Sequence, residues 1–231
     1  MESRNSRISV TEVFLSLQGE GLYAGEPTVF IRFAGCNLLV GCRWCDTKYS
    51  QRFEDGKLME IKEIMEKVRD LAPHYKFWVC ISGGEPLAQP QGLEELVRGL
   101  KSWGYRVEIE TNGTIKKPQW YTLADCWVAD IKCPSSGVVS LEKEWFDTRG
   151  TDQVKLVVST KEDLDYAREV INRNRARSPK VIVSPVVPVG EVILSEINRR
   201  WLQEVWGFCM DYRVRFSYQL HKLTFGNRKG V

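Results

Sequence analysis

Short apolar runs rich in β-branched and aromatic residues recur along the chain at 29–33, 77–82, 105–110, 127–131, 153–158 and 180–184, and each predicts a strand. Helical spacing fills most of the gaps. Residues 60–71 repeat apolar side chains at Ile61, Ile64, Met65 and Val68, and residues 93–103 and 162–172 show the same period. Strand and helix therefore alternate, with polar turns between them. That order predicts an α/β fold whose parallel strands are linked by right-handed helical crossovers, in a barrel or an open doubly wound sheet. In such sheets the loops at the carboxyl ends of the strands carry the chemistry, and the notable motifs all follow an expected strand.

Length and composition sharpen this picture. A chain of 231 residues with 43% apolar and 27% charged positions fits one globular domain spanning 1–231. The longest apolar runs, such as 181–189 with its two prolines, fall short of a membrane span, which needs about 20 residues. The opening MESRNSRISV lacks the apolar core of a secretory signal, so a cytoplasmic location is expected. The net charge of +3 is slight, and basic residues are interspersed with acidic ones, which argues against direct nucleic-acid binding and leaves room for a small anionic substrate.

The cysteines point to a metal. There are seven, and Cys36, Cys42 and Cys45 fall within ten residues, in IRFAGCNLLVGCRWCDTKYS directly after the strand at 29–33. Clustered cysteines in a chain of this size more often mean metal or redox chemistry than disulfides. Three thiolates can hold three irons of a 4Fe-4S cubane and leave the fourth open to a further ligand. A structural zinc site would want a fourth protein ligand, and the only histidines, His74 and His221, are far away in sequence. Cys80, Cys126, Cys133 and Cys209 are too scattered for a second cluster and read as buried thiols.

This loop resembles the radical S-adenosylmethionine (SAM) superfamily, although its spacing of five and then two residues exceeds the usual three and two. ISGGEPLAQP resembles the superfamily's GGEP turn at the methionine end of SAM. Glu110, Thr111 and Asn112 of IETNGT suit the ribose or amino-acid part. The resemblance narrows to the 7-carboxy-7-deazaguanine synthase family through VTEVFLSLQGEGLYAGEPTVFIRFAGCN, CDTKYS, ISGGEPL, ETNGT and QLHKLTFGNRKGV, in that order along almost the whole chain. It implies a partial, incomplete TIM-like radical SAM barrel. It also implies a magnesium-dependent lyase that contracts 6-carboxy-5,6,7,8-tetrahydropterin to 7-carboxy-7-deazaguanine with loss of ammonia, for deazapurine bases of tRNA. A SAM-derived radical would abstract hydrogen from the carbon bearing the substrate carboxylate, with no catalytic side chain. A glycyl-radical activase shares the cysteine loop and the GGEP-like turn but leaves LQGEG and NRKGV unexplained.

Carried over by position, the resemblance assigns Leu17, Gln18, Gly19, Arg32, Ser82 and Val231 to the substrate. The Gln18 amide would read the heterocycle, the Arg32 fork would meet a carboxylate, and a terminal carboxylate at Val231 would accept from the pterin's N–H groups. SAM would meet Trp44, Cys45, Asp46, Gly84, Asp130, Ile131 and Lys132. The segment ADIKCPSSG departs from the family's usual Ser-Pro-Lys there, and 184–187 matches more loosely. Thr47 would be the magnesium ligand, the alternative being a turn or cap hydroxyl. The family further implies a homodimer and an electron donor such as flavodoxin or ferredoxin.

Overall fold

The computed structural model describes residues 6–38, 40–74, 78–186, 195–226 and 228–231. The chain forms β1 (Arg7–Leu17), β2 (Pro27–Phe33), β3 (Lys57–Glu60), α1 (Ile61–Leu71), β4 (Trp78–Gly83), α2 (Pro90–Ser102), β5 (Arg106–Thr111) and β6 (Cys126–Lys132). It continues through α3 (Glu142–Phe146), β7 (Gln153–Val158), α4 (Lys161–Arg173), β8 (Lys180–Pro185), α5 (Glu196–Tyr212), β9 (Arg215–Phe216) and α6 (Leu220–Phe225). The six expected strands and three expected helices are all present. Phe77, expected to open the second strand, lies outside the described residues.

The nine strands among the described residues join one sheet in the order β3-β1-β2-β4-β5-β6-β7-β8-β9. From β2 to β9 every neighbouring pair is parallel, while β1 runs antiparallel to both β2 and β3. The parallel strands follow chain order without reversal. Right-handed crossovers of one sense then put the helices that connect the parallel strands on the same face, which leaves the other face free for a site. The sheet stays open, with β3 and β9 as its edges, so it is not a closed barrel and agrees with the incomplete one that the resemblance implies.

Alternation along the strands separates core from site. Val29, Ile31 and Phe33 of β2, Val79 and Ile81 of β4, Val107 and Ile109 of β5, and Val154, Leu156 and Val158 of β7 are fully buried and join the main core cluster. Ile61, Ile64, Met65 and Val68 of α1 and Leu93, Leu96, Val97 and Leu100 of α2 pack into the same cluster. Each such side chain contributes roughly 1.5–3 kcal/mol by leaving water. The intervening positions, among them Arg32, Ser82, Glu110, Asp130, Lys155 and Ser184, line a single cavity. The four cysteines outside the loop, Cys80, Cys126, Cys133 and Cys209, are buried, as expected.

Candidate active site

After β2 the chain turns into the cysteine loop, which backbone bonds anchor to the following turn: Gly35 N donates to Ser50 O at 2.9 Å and Cys36 N to Gln51 O at 2.8 Å. Cys36, Cys42 and Cys45 are free, half-buried and line the cavity together. Burial raises the thiols of Cys36 and Cys42; the charge of Cys45 adds to both, while Lys132 acts in the opposite sense on Cys42. The three sulfurs do not all lie within 4.8 Å of one another, so the triad is set wider than the thiolates around a single zinc ion. Three wide-set thiols facing a cavity, with no fourth protein ligand beside them, fit a 4Fe-4S cluster with one open iron.

The Gly83-Gly84-Glu85 turn holds this loop against the sheet. A Cβ on Gly83 would lie 2.2 Å from Phe33 O, and one on Gly84 would lie 2.1 Å from Gly35 O. Gly84 lines the cavity as expected for a SAM contact, but what excludes a side chain there is the backbone of the cysteine loop. Glu85 N in turn donates to Gly35 O at 2.8 Å. The fully buried Glu85 carboxylate accepts from Leu87 N, Thr111 Oγ1 and Asn112 N at 2.9, 2.9 and 2.7 Å, and burial pushes its pKa up to about 7. Thr111 is thereby committed to the scaffold. Asn112 instead reaches the cysteine loop, with Nδ2 2.9 Å from Asn37 Oδ1 and 3.8 Å from Cys36 Sγ.

On the substrate side, Gln18, Ser82 and Glu110 converge. Ser82 Oγ donates to Glu110 Oε2 at 2.7 Å, and Gln18 Nε2 donates to Glu108 Oε1 at 2.6 Å and lies 3.5 Å from Glu110 Oε1. Gln18 Oε1 accepts from Glu20 N at 3.2 Å. Both ends of the amide expected to read the heterocycle are therefore engaged within the protein, and Gln18 acts by holding the two glutamates. Cys80, Glu108 and Glu110 are grouped closely enough to hold a cation, but the Gln18 Nε2 sits among them, 3.7 Å from Cys80 Sγ. Arg32 Nε donates to Glu12 Oε1 at 2.6 Å, and Tyr49 Oη donates to the same oxygen at 2.9 Å. The rings of Phe14 and Tyr49 lie 6.0 Å from the guanidinium carbon. The other edge of the guanidinium makes no hydrogen bond among the described residues, so the expected anion fork is oriented by an ion pair and left open.

A chain of charges crosses the mouth. Glu20 Oε2 pairs with Lys155 Nζ at 3.0 Å, Lys155 with Asp130 Oδ1 at 3.5 Å, and Asp130 Oδ2 with Lys132 Nζ at 2.5 Å. Burial alone would raise both carboxyls, yet Lys155, Gln219 and His221 together outweigh it at Glu20, and Lys132 and Lys155 together outweigh it at Asp130, so both are held below their ordinary range. Lys132 Nζ also lies 5.1 Å from the centre of the Trp44 ring, whose Nε1 donates to Ser135 Oγ at 3.1 Å. Asp46 pairs with Lys222 of α6 at 2.6 Å. The Ile131 side chain joins the core on the helix side of the sheet, which leaves its backbone to face a cofactor.

Thr47, Leu17, Gly19 and Val231 all line the cavity. The Thr47 hydroxyl lies 3.7 Å from Cys45 Sγ and makes no cap hydrogen bond to the 3-10 turn that follows, so the cap alternative is not realised. At Gly19 a Cβ would lie 2.4 Å from His221 Nδ1, and Gly19 O accepts from Leu220 N at 3.1 Å, which seats α6 over the cavity. Residues the sequence reading missed are Glu12, Glu108, Lys155, Gln219, His221 and Lys222. Gln219 Nε2 donates to Glu20 Oε1 at 2.8 Å, and Lys222 Nζ donates to Gln219 Oε1 at 2.8 Å, so α6 is tied to the sheet through side chains. The available signal was a charged residue inside an otherwise apolar strand, at Glu108 and Lys155, and three polar side chains in QLHK.

An incomplete parallel barrel with three cysteines on the loop after its first parallel strand defines a radical SAM protein, and residues 30–131 match the Radical SAM superfamily. The chain is 42% identical over 95% of its length to a 7-carboxy-7-deazaguanine synthase of Methanospirillum hungatei, 86% of which is covered. It is 35% identical over 96% of its length to one of Thermoplasma acidophilum, 99% of which is covered. The chain belongs to the 7-carboxy-7-deazaguanine synthase family. Its fold is similar to that of QueE from Escherichia coli, with a TM-score of 0.68 and 22% identity over 96% of this chain and 100% of that one. It is also similar to Streptococcus suis SuiB bound to S-adenosylmethionine, with a TM-score of 0.57 and 14% identity over 82% and 51% of the two chains. Among the described residues no helix is long and apolar enough to cross a membrane.

Proposed function

We propose that the chain, as one radical SAM domain, converts 6-carboxy-5,6,7,8-tetrahydropterin to 7-carboxy-7-deazaguanine with loss of ammonia, and that the cavity residues divide this work as follows. Cys36, Cys42 and Cys45 hold the 4Fe-4S cluster. Gly84, Trp44, Cys45, Asp46, Asp130, Lys132 and the backbone of Ile131 surround SAM. Arg32 receives the substrate carboxylate, with Leu17, Gly19 and Ser82 around the ring and Val231 at the rim. Thr47 offers a hard oxygen to Mg2+, which completes its shell from substrate and water. The cluster and SAM together supply the radical when bound and reduced, and the ion supplies a Lewis acid. The protein's share is to orient the substrate and exclude water.

The observation that carries this reading is the convergence of the three thiols, the Thr47 hydroxyl, the open edge of Arg32 and the Ser82–Glu110 pair on one cavity at the carboxyl ends of the parallel strands. Glu110 is an acceptor beside the expected ring position and suits the pterin's amino and ring N–H donors. An electron donor such as flavodoxin or ferredoxin is required to reduce the cluster. A homodimer is consistent with the exposed Trp206, Met210 and Leu223 on α5 and α6. The test is anaerobic incubation with SAM, dithionite, Mg2+ and 6-carboxytetrahydropterin, followed by mass spectrometry. A product lighter by ammonia is expected, and SAM cleavage that is indifferent to the pterin would overturn the assignment.

A further inference from the structure

Asn112 stands between the loop after β5 and the cysteine loop, and the hydrogen bonds around it leave its side-chain amide one orientation. Its Oδ1 accepts from Thr114 N at 2.9 Å and from Thr114 Oγ1 at 2.7 Å. A backbone N–H can only donate, so the amide oxygen faces Thr114 and the amide nitrogen faces the cysteine loop. The Thr114 hydroxyl is fixed in the same way, since it also accepts from Asn37 Nδ2 at 2.9 Å. Asn112 Nδ2 carries two hydrogens: one meets Asn37 Oδ1 at 2.9 Å, and the other is left for Cys36 Sγ, 3.8 Å away. The Asn112 backbone is held from below, its N–H donating to the buried Glu85 carboxylate at 2.7 Å. With the residue 8% exposed, little water competes for these bonds.

This arrangement sets Cys36 apart from the other two thiols. Burial raises the Cys36 thiol, while the backbone N–H of Leu38 and the Asn112 amide act in the opposite sense. Cys42 is faced by the charge of Lys132, which is shared with Asp130, and Cys45 by the Thr47 hydroxyl at 3.7 Å. An N–H aimed at a sulfur stabilises negative charge on that one ligand, and hydrogen bonds to the ligand sulfurs are among the factors that set a cluster's reduction potential. Reduction adds a negative charge, so a donor at a ligand sulfur favours the reduced state.

We propose that Asn112 is a positioning residue that keeps a hydrogen bond on the Cys36 sulfur and thereby raises the reduction potential of the cluster. The inference rests on the reading that Cys36, Cys42 and Cys45 hold that cluster. The step it acts on is a one-electron reduction: the donor loses one electron and the cluster passes from its 2+ to its 1+ state. Without the amide, the same site reaches the 1+ state only at a lower solution potential.

The test is an anaerobic redox titration of the cluster-loaded protein with dithionite and mediators, read from the EPR signal of the 1+ state, in the parent, Asn112→Ala and Asn112→Asp. Alanine removes the N–H donors without adding charge. Aspartate keeps the side chain's shape and the acceptor that Thr114 N needs, but turns a charged oxygen toward Cys36. Both variants keep the parent's iron content. At a fixed potential the ratio of reduced to oxidised cluster falls about ten-fold in the alanine variant, a downward shift of about 59 mV for a one-electron couple, and further in the aspartate variant. An unchanged potential in Asn112→Ala, or a raised one in either variant, overturns the proposal. Where neither variant assembles a cluster, the parent decides, grown with asparagine isotopically labelled at the side-chain amide nitrogen and examined by pulsed EPR in the reduced state. A labelled nitrogen coupled to the cluster, retained in Asn37→Ser, supports the bond, and absence of that coupling overturns it. A Cys36→Ala variant with the parent's iron content and potential would overturn the three-cysteine reading itself, and this inference with it.

Discussion

Glu108 gives the sharpest test of the electrostatics under the site. Its carboxyl is 3% exposed, and burial, reinforced by the charge of Glu110, pushes its pKa up to about 8 from 4.5. The folded state therefore binds a proton there that the unfolded chain has already lost between these two values. Stability from this group is complete below pH 4.5 and is lost as pH rises through 8. Integrating the two titrations from pH 6 to pH 8 gives a loss of about 2 kcal/mol from this residue alone. Glu108→Gln carries no titrating proton and removes that slope. The variant also turns an amide nitrogen toward Gln153 Nε2, now 3.2 Å from Glu108 Oε2, at a cost of roughly 1–3 kcal/mol. That cost is independent of pH, so it shifts the whole stability curve and cancels from its slope. The measurement is anaerobic urea denaturation of parent and variant at pH 6, 7 and 8 with the cluster state matched. Parent and variant should converge by about 2 kcal/mol across this range; parallel curves would show that Glu108 is not the buried proton.

The remaining expectations follow from single contacts. Alanine at Cys36, Cys42 or Cys45 removes one of three thiolates and should abolish cluster assembly, read from iron content and visible absorbance. Thr47→Ala should raise the Mg2+ concentration needed for half-maximal turnover while the cluster absorbance persists; an unchanged requirement would place the ion elsewhere. Gly84→Ala forces a Cβ to within 2.1 Å of Gly35 O and should lower both the melting temperature and the cluster loading. Lys155→Met leaves Glu20 and Asp130 facing one another without their shared cation, which should cost roughly 3–5 kcal/mol in denaturation, and a loss under 1 kcal/mol would contradict the buried pairing.

The sequence revealed the parts of the fold whose physics is local. β4 through β8 are covered by helices and read as apolar runs, and the α1 stripe at Ile61, Ile64, Met65 and Val68 has one clear face. β1 was missed because Thr11, Glu12 and Ser16 interrupt its apolar residues, and its stability comes from pairing with both β2 and β3. β9 has two residues and leaves no pattern. α5 was missed because exposed Trp206 and Met210 blur its buried stripe. At the site, the cysteine loop is contiguous and therefore legible, whereas the chain from Asp46 through α6 and Glu20 to Lys155 joins residues far apart in sequence. No local period encodes such a chain; it forms because each buried charge must find its opposite once the fold brings it close.

The layering of charge explains why one buried glutamate takes a proton while its neighbours at the mouth do not. At the bottom, Glu108 meets amides from Gln18 and Gln153 and, among the described residues, no cation within hydrogen-bond reach, so burial prevails and raises the carboxyl's pKa to about 8. At the mouth, Glu20, Asp130 and Asp46 are matched by Lys155, Lys132 and Lys222, and Arg32 is matched by Glu12. Each of these pairs is closed within the protein, while Glu110 adds a cavity carboxylate held by Ser82 and Gln18. Among the described residues that line the cavity, Lys132, Lys155 and Lys222 are each already paired, so an arriving carboxylate meets only the open edge of Arg32 and its charge calls for a further positive partner. In the proposed arrangement Mg2+ supplies it, and a neutral protein ligand such as the Thr47 hydroxyl suits the ion, because a carboxylate in that position would satisfy the ion and weaken its hold on the substrate.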